Sequence, residues 1–303
     1  MRIKKPIIAL FLGPAVIIYF AIFFYPTLRT GLMSFYNVES ISSQFSEWSF
    51  IGLDNYVDLI HNSYFTGSVW NVLKIWIIGG ALVFFFAFLF AVIISSQGVR
   101  WKAFWRSLIF LPNTVSAVVL SIVWLQYVYN YDYGFLAKLF KMVGLNSLAE
   151  IQWTDDIHLF ISMLLAYCFG CIGYFMLILN AGMDRIPQDY YEAALLEGAN
   201  AFDKFFKITL PLLRDVFRTT LVLWTITSIN FFVWSATFGL ADPHTMTPGY
   251  FMYLRVFGNS RSVYMDDAFN IGSGATVGVL ITLAVIVLSS LINLFFRKER
   301  LEY

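Results

Sequence analysis

Six stretches of this sequence, about 6–28, 75–97, 107–129, 157–180, 219–240 and 270–296, run without a single Asp, Glu, Lys or Arg. Apolar runs of roughly 18 residues or more have the length needed to cross a bilayer. With no water at that depth, backbone polar groups must be satisfied within the segment, so each run is expected to be helical. Composition agrees: 59% of the 303 residues are apolar and 13% charged, against about 45–50% and about 25% in an average soluble domain. The expected fold class is an all-α integral membrane protein with six transmembrane helices. No repeat or low-complexity tract divides the chain, so 1–303 is expected to form a single domain.

A net charge of +1 offers no basic surface for nucleic acid. The distribution of charge is more informative. With the N-terminus in the cytoplasm, six spans return the tail to the same side and place Arg2, Lys4, Lys5, Arg100, Lys102, Arg106, Arg185, Lys204, Lys207, Arg214, Arg218, Arg297, Lys298 and Arg300 there, most of the 20 basic residues. The positive-inside rule therefore predicts both termini cytoplasmic. The first run follows Met1-Arg2-Ile3-Lys4-Lys5 like a secretory leader, but it is long and lacks a small-x-small cleavage site, and is expected to remain as an anchor.

Segments 29–74, 130–156 and 241–269 are then expected as ordered extracytoplasmic surface, and 98–106 as a short basic inner loop. The second inner loop, 181–218, is long and charged with both signs. Its pattern predicts two short helices. The first starts near Pro187, carries Tyr190, Tyr191, Ala193, Ala194, Leu195 and Leu196, and ends in a left-handed cap at Gly198. The second is capped by Asn200 with Asp203 three residues on, and runs through Phe205, Phe206 and Ile208 until Leu210-Pro211 stops it.

The spans are nearly bare of groups that couple transport to protons: Lys74 lies just before the second run and His158 at the edge of the fourth. Intramembrane ionisable residues are costly and mark such function, so proton coupling is disfavoured. Sodium coupling through backbone carbonyls stays open. No Gly-Lys pair exists to build a phosphate-binding loop, so ATP is not expected on this chain. His61, His158 and His244 are scattered, and Cys168 and Cys171 sit alone in the fourth run, where small packing side chains are the expected reading over redox or zinc chemistry. The Gly272-Ser-Gly274-Ala-Thr-Val-Gly278 stretch opens a hydrophobic run and is read as close helix packing rather than a dinucleotide fingerprint.

The run Ile186-Pro187-Gln188-Asp189-Tyr190-Tyr191-Glu192-Ala193-Ala194, followed by Gly198-Ala199 and then Phe205, Ile208, Leu210 and Pro211, resembles the "EAA" loop of the permeases of ABC importers. Phe50-Ile-Gly52-Leu53-Asp54-Asn55-Tyr56, Arg106 to Phe110-Leu111-Pro112, and Asn180-Ala181-Gly182-Met183 resemble further elements of the binding-protein-dependent sugar permeases, of maltose and glycerol-phosphate type. The stretch Thr237-Phe-Gly239-Leu240-Ala241-Asp242-Pro243 departs from the Thr-x-Gly-Gly-Pro often found there. The resemblance implies a cytoplasmic coupling helix at roughly 187–198 that docks into an ATP-binding subunit through Glu192, Ala193, Ala194, Gly198, Ala199 and Pro211. It also implies a bacterial inner-membrane location and a sugar-type cargo, with no cofactor in this chain. The partners would be a second, different permease, two ATP-binding subunits that hold ATP and magnesium, an extracytoplasmic solute-binding protein, and membrane lipid. An ion-coupled carrier or channel is the alternative from another class, and a membrane enzyme a third.

A sugar path needs hydroxyls, amides and aromatic faces. Thr220, Trp224, Thr227, Phe231 and Trp234, with Ser228 alongside, recur at three- and four-residue spacing in the fifth run, and Trp124, Gln126 and Tyr127 lie near the end of the third. Interhelical packing accounts for the same pattern, and both readings stand at this level.

Overall fold

The computed structural model describes residues 5–40, 42–96, 98–239, 242–258 and 270–296. Apart from one two-stranded hairpin, the regular structure of these residues is helical. Five helical stretches are long and apolar enough to cross a membrane: Leu10–Met33, Ser63–Ser95, Leu159–Met183, Arg214–Phe238 and Ile271–Phe295. The remaining predicted span, the third in the chain, is a broken one. Lys102–Thr114 and Ala117–Val128 meet at 94°.

Proline explains that break. Pro112 has no N–H to offer the carbonyl one turn back, and Val115 and Ser116 leave helical geometry with ψ of 137° each. Both halves rest on the fourth span. Asn113 donates to the Gly170 carbonyl at 3.3 Å, and a Cβ on Gly173 would sit 2.3 Å from the Ile109 oxygen, so only glycine lets these backbones approach.

The second span begins at Ser63, well before the predicted residue 75. Asn62 starts it, its Oδ1 accepting from the Tyr64 and Phe65 N–H groups at 3.0 Å. The polar residues that disguise this turn in the sequence are satisfied by neighbours. Asn71 donates to the Pro243 and Met246 carbonyls at 3.0 and 2.9 Å, and Lys74 lies over the Phe160 ring at 4.5 Å. The segment expected as outer surface from 241 is, in its first part, interior: Thr245, Met246 and Thr247 are fully buried. Ser235 Oγ donates to the Thr245 carbonyl at 2.6 Å and Thr247 to the Phe231 carbonyl, so the irregular backbone keeps its hydrogen bonds without water. Leu240 and Ala241 of the divergent stretch lie outside the described residues.

The chain divides into two compact units, Met1–Thr66 with Phe251–Leu283, and Gly67–Tyr250 with Ala284–Tyr303. In the first, Tyr36–Asn37 pairs antiparallel with Ser49–Phe50, and Val38, Trp48 and Ile271 form a small core. The Gly52-Leu-Asp-Asn-Tyr56 motif has a physical role here. Gly52 takes φ +64°, buried Asn55 donates to the Ser34 and Tyr36 carbonyls, and Tyr56 OH meets Ser34 Oγ at 2.9 Å. Gly272 and Gly274 pack closely, as read from the sequence: added Cβ atoms would lie 2.1 Å from the Tyr36 oxygen and 2.4 Å from Val256 Cγ2. The second unit holds the main core, in which Trp224, Phe175, Met163, Leu164, Met176 and Leu179 are fully buried.

Candidate coupling helix and translocation face

The fourth span ends at Met183, and the chain turns through Asp184, Arg185 and Ile186 into Pro187, whose φ of −57° and ψ of 137° launch a helix over Gln188–Leu196. It stops as the sequence predicts. Gly198 adopts φ +78°, its N–H bonding the Leu195 carbonyl at 3.0 Å while the Ala199 N–H bonds that of Ala194 at 2.9 Å, the paired bonds of a Schellman cap. Asn200 then opens the next helix with a reciprocal box: its Oδ1 accepts from the Asp203 N–H at 3.0 Å, and its own N–H donates to the Asp203 carboxylate at 3.4 Å. Lys207, 2.6 Å away, and the Asn200 N–H hold the Asp203 carboxyl below the usual carboxylate range.

This second helix differs from expectation at its end. Ala201–Lys204 passes into a wide π-helical turn over Phe205–Thr209 and on through Leu210–Leu212, so Pro211 sits inside the helical path and the break falls at Leu213. The wide turn resets the hydrogen-bond register just upstream, which lets the chain carry a residue without N–H.

One contact braces the loop and another ties it to the body. Tyr191 OH meets Thr209 Oγ1 at 3.0 Å and joins its two arms, while Arg106 pairs with Asp184 at 2.9 Å immediately before the first. Glu192 and Ala193 are exposed, Ala194 is half-buried, and Leu196 is 92% exposed. Tyr190, Leu195, Phe202 and Phe206 are exposed as well. The apolar residues thus do not share one inward face. The helix, closed by a cap at its C-terminal end, holds Leu and aromatic side chains outward.

The predicted fifth-span stripe splits in two. Thr220, Trp224, Ser228, Phe231 and Trp234 are all buried, and their contacts are those of packing. Trp224 Nε1 donates to the Trp76 carbonyl at 2.9 Å, and its ring occupies a seat made by Gly79 and Gly80, where Cβ atoms would lie 3.1 Å or less from neighbouring side chains. Tyr167 stacks edge-on against Phe231 and Trp234. Thr227, by contrast, is exposed, together with Thr219 and Ile226 on the same side and with Asn230 at the point where the helix is interrupted. Asn230 and the glycine pair were missed in the sequence, although a lone amide within an apolar run was a visible signal. On the third span Gln126 and Tyr127 are exposed, while Trp124 is half-buried against Tyr129 and Phe169. Among the described residues no group of three or more His, Cys, Asp or Glu side chains could hold a metal.

Comparison with known proteins follows this anatomy. A probable ABC transporter permease protein of Bacillus subtilis, YurN, is 29% identical, covering 99% of this chain and 98% of its own. An arabinooligosaccharides transport system permease protein of Halalkalibacterium halodurans, AraP, is 27% identical over 94% of this chain and 86% of its own. Among solved structures, a bacterial ABC transporter that imports the acidic polysaccharide alginate shares the fold, with a TM-score of 0.76 at 17% identity over 98% of this chain and 96% of that one. A bacterial alginate ABC transporter in complex with an alginate pentasaccharide-bound periplasmic protein also shares the fold, with a TM-score of 0.75 at 17% identity over 97% of this chain and 94% of that one. Residues 83–300 match the family described as the inner membrane component of binding-protein-dependent transport systems, and the chain belongs to that family.

Proposed function

We propose that this chain is the translocating subunit of an ATP-driven importer of a carbohydrate-type solute in a bacterial cytoplasmic membrane, acting as one permease domain with both termini in the cytoplasm. The observation that carries this is the capped, outward-facing helix Gln188–Leu196. Such a helix transmits force only if both ends are fixed, and here a Schellman cap closes one end while the Arg106–Asp184 pair anchors the other. An ATP-binding subunit would grip Glu192, Ala193 and Ala194, with Gly198, Ala199 and Pro211 shaping the turn and the return path. Two such subunits would hold ATP and magnesium and carry out hydrolysis.

The solute path is assigned to the exposed polar positions Gln126, Tyr127, Thr227 and Asn230, facing a second permease of different sequence. An extracytoplasmic solute-binding protein would deliver the cargo. Support for an oligosaccharide comes from the named cargo of the similar proteins and from this mix of amide, hydroxyl and aromatic groups. The test is purification with native subunits followed by ATPase assays across a panel of oligosaccharides. Sugar-stimulated hydrolysis by a co-purified ATP-binding subunit is expected, whereas a chain that purifies alone and transports on an ion gradient would overturn the proposal.

A further inference from the structure

Within the first unit, the last turns of the first membrane-length helix and the hairpin that follows enclose a cleft of about 570 Å³. It is lined by Tyr25, Leu28, Arg29, Leu32, Phe45 and Trp48. The volume falls in the range of about 300–1,000 Å³ typical of small-ligand clefts. The hairpin explains how it forms. Tyr36–Asn37 pairs with Ser49–Phe50, which folds Phe45 and Trp48 back toward the helix, and the Trp48 ring is wedged among Tyr36, Phe45 and Val38.

Two polar groups border this otherwise apolar cleft, and neither has a polar partner among the described residues. Arg29 stands 5.5 Å over the Trp48 ring, and among the described residues it pairs with no carboxylate. Trp48 is 8% exposed, and its buried Nε1–H has no acceptor. The N–H is sealed inside the protein, whereas the exposed cation over the ring, in an apolar cleft, calls for an anionic oxygen. The position is equally specific. Arg29 lies four residues before the end of Leu10–Met33, about 6 Å along the axis, within reach of the depth where hydrocarbon meets headgroups.

The geometry points to a binding site for a phospholipid headgroup. Arg29, standing over the Trp48 ring, pairs with the phosphate, and one acyl chain runs inward along Leu28 and Tyr25. Leu32 and Phe45 flank the head. A sugar is disfavoured here because the lining side chains include no carboxylate or amide to accept from its hydroxyls.

The chain, purified with its native subunits in mild detergent, is titrated with dioleoylphosphatidylglycerol and followed by native mass spectrometry. Parallel titrations use dioleoylglycerol, which has the same tails and no phosphate, glycerol 3-phosphate, and maltotriose. A discrete phosphatidylglycerol adduct is expected, weakened about tenfold or more by Arg29→Gln and largely kept by Arg29→Lys. Equal retention of dioleoylglycerol, or an unchanged adduct in Arg29→Gln, means ordinary lipid packing and overturns the site. Displacement of the lipid by glycerol 3-phosphate overturns it in favour of a soluble phosphate, and displacement by maltotriose in favour of a solute subsite. If Arg29→Gln does not assemble, Phe45→Ala, which removes an exposed ring from the lining, must weaken the adduct. None of these outcomes depends on which solute the complex imports.

Discussion

Replacing Gly198 separates backbone geometry from contact at the coupling helix. At φ +78° an L-residue lies in the left-handed region, where a Cβ costs about 1–2 kcal/mol. No heavy atom lies within 4 Å of a Cβ built there, so the penalty is conformational alone. Gly198→Ala should meet the lower end of that range and Gly198→Val the upper. The helix it terminates has nine residues, below the length of roughly 12–15 at which isolated helices become even marginal. A loss of 1–2 kcal/mol therefore lowers the population of the capped form about 5- to 30-fold relative to its frayed alternatives.

Gly144 provides the control. It has φ +80° and equally open surroundings, in the segment between the third and fourth spans, so the same substitution carries the same local cost away from the proposed docking surface. The assay is transport per ATP hydrolysed in proteoliposomes, with melting of the detergent-purified complex alongside. Gly198→Val should collapse the ratio while the protein remains inserted, and Gly144→Val should leave it unchanged. Equal ratios in the two variants would refute the coupling role of this turn.

Trp224→Ala should cost about 3–5 kcal/mol, because a fully buried indole and its bond to the Trp76 carbonyl are lost, and thermal stability of the complex should drop accordingly. Basal and substrate-stimulated ATPase should fall together; a selective loss of stimulation would return Trp224 to the solute path. Asn230→Leu should show the opposite split, with stability preserved and stimulation by sugar reduced, since its side chain is exposed at the helix break. The half-exposed Arg106–Asp184 pair should be worth about 0.2–1 kcal/mol, so Asp184→Asn should barely alter melting yet impair coupling, and Arg106→Asp with Asp184→Arg should restore it. The Asp203 carboxyl is held low by Lys207 and the Asn200 N–H. Its stabilisation is therefore complete above the ordinary carboxylate range and disappears as pH falls through its lowered value. Asp203→Asn should flatten that acid limb in hydrogen exchange of the loop, and an unchanged limb would show that the capping box does not titrate.

What could be read from the chain itself was whatever depends on short-range chemistry. Uninterrupted apolar runs specify spanning helices because an unsatisfied peptide group in hydrocarbon costs several kcal/mol, on the order of a whole hydrogen bond. Gly198, Asn200 and Asp203 declared their caps because capping bonds close within a few residues. Tertiary structure alone decided which face of the fifth span is interior. The spacing of Thr220, Trp224 and Thr227 is the same for a lining stripe and a packed one, and only the Gly79–Gly80 seat, far away in sequence, draws Trp224 inward and leaves Thr227 outside. The early start of the second span and the buried course of Thr245–Thr247 were hidden for the same reason. A polar residue within a span reads as a boundary until the distant carbonyl that satisfies it, such as that of Met246 for Asn71, is in view.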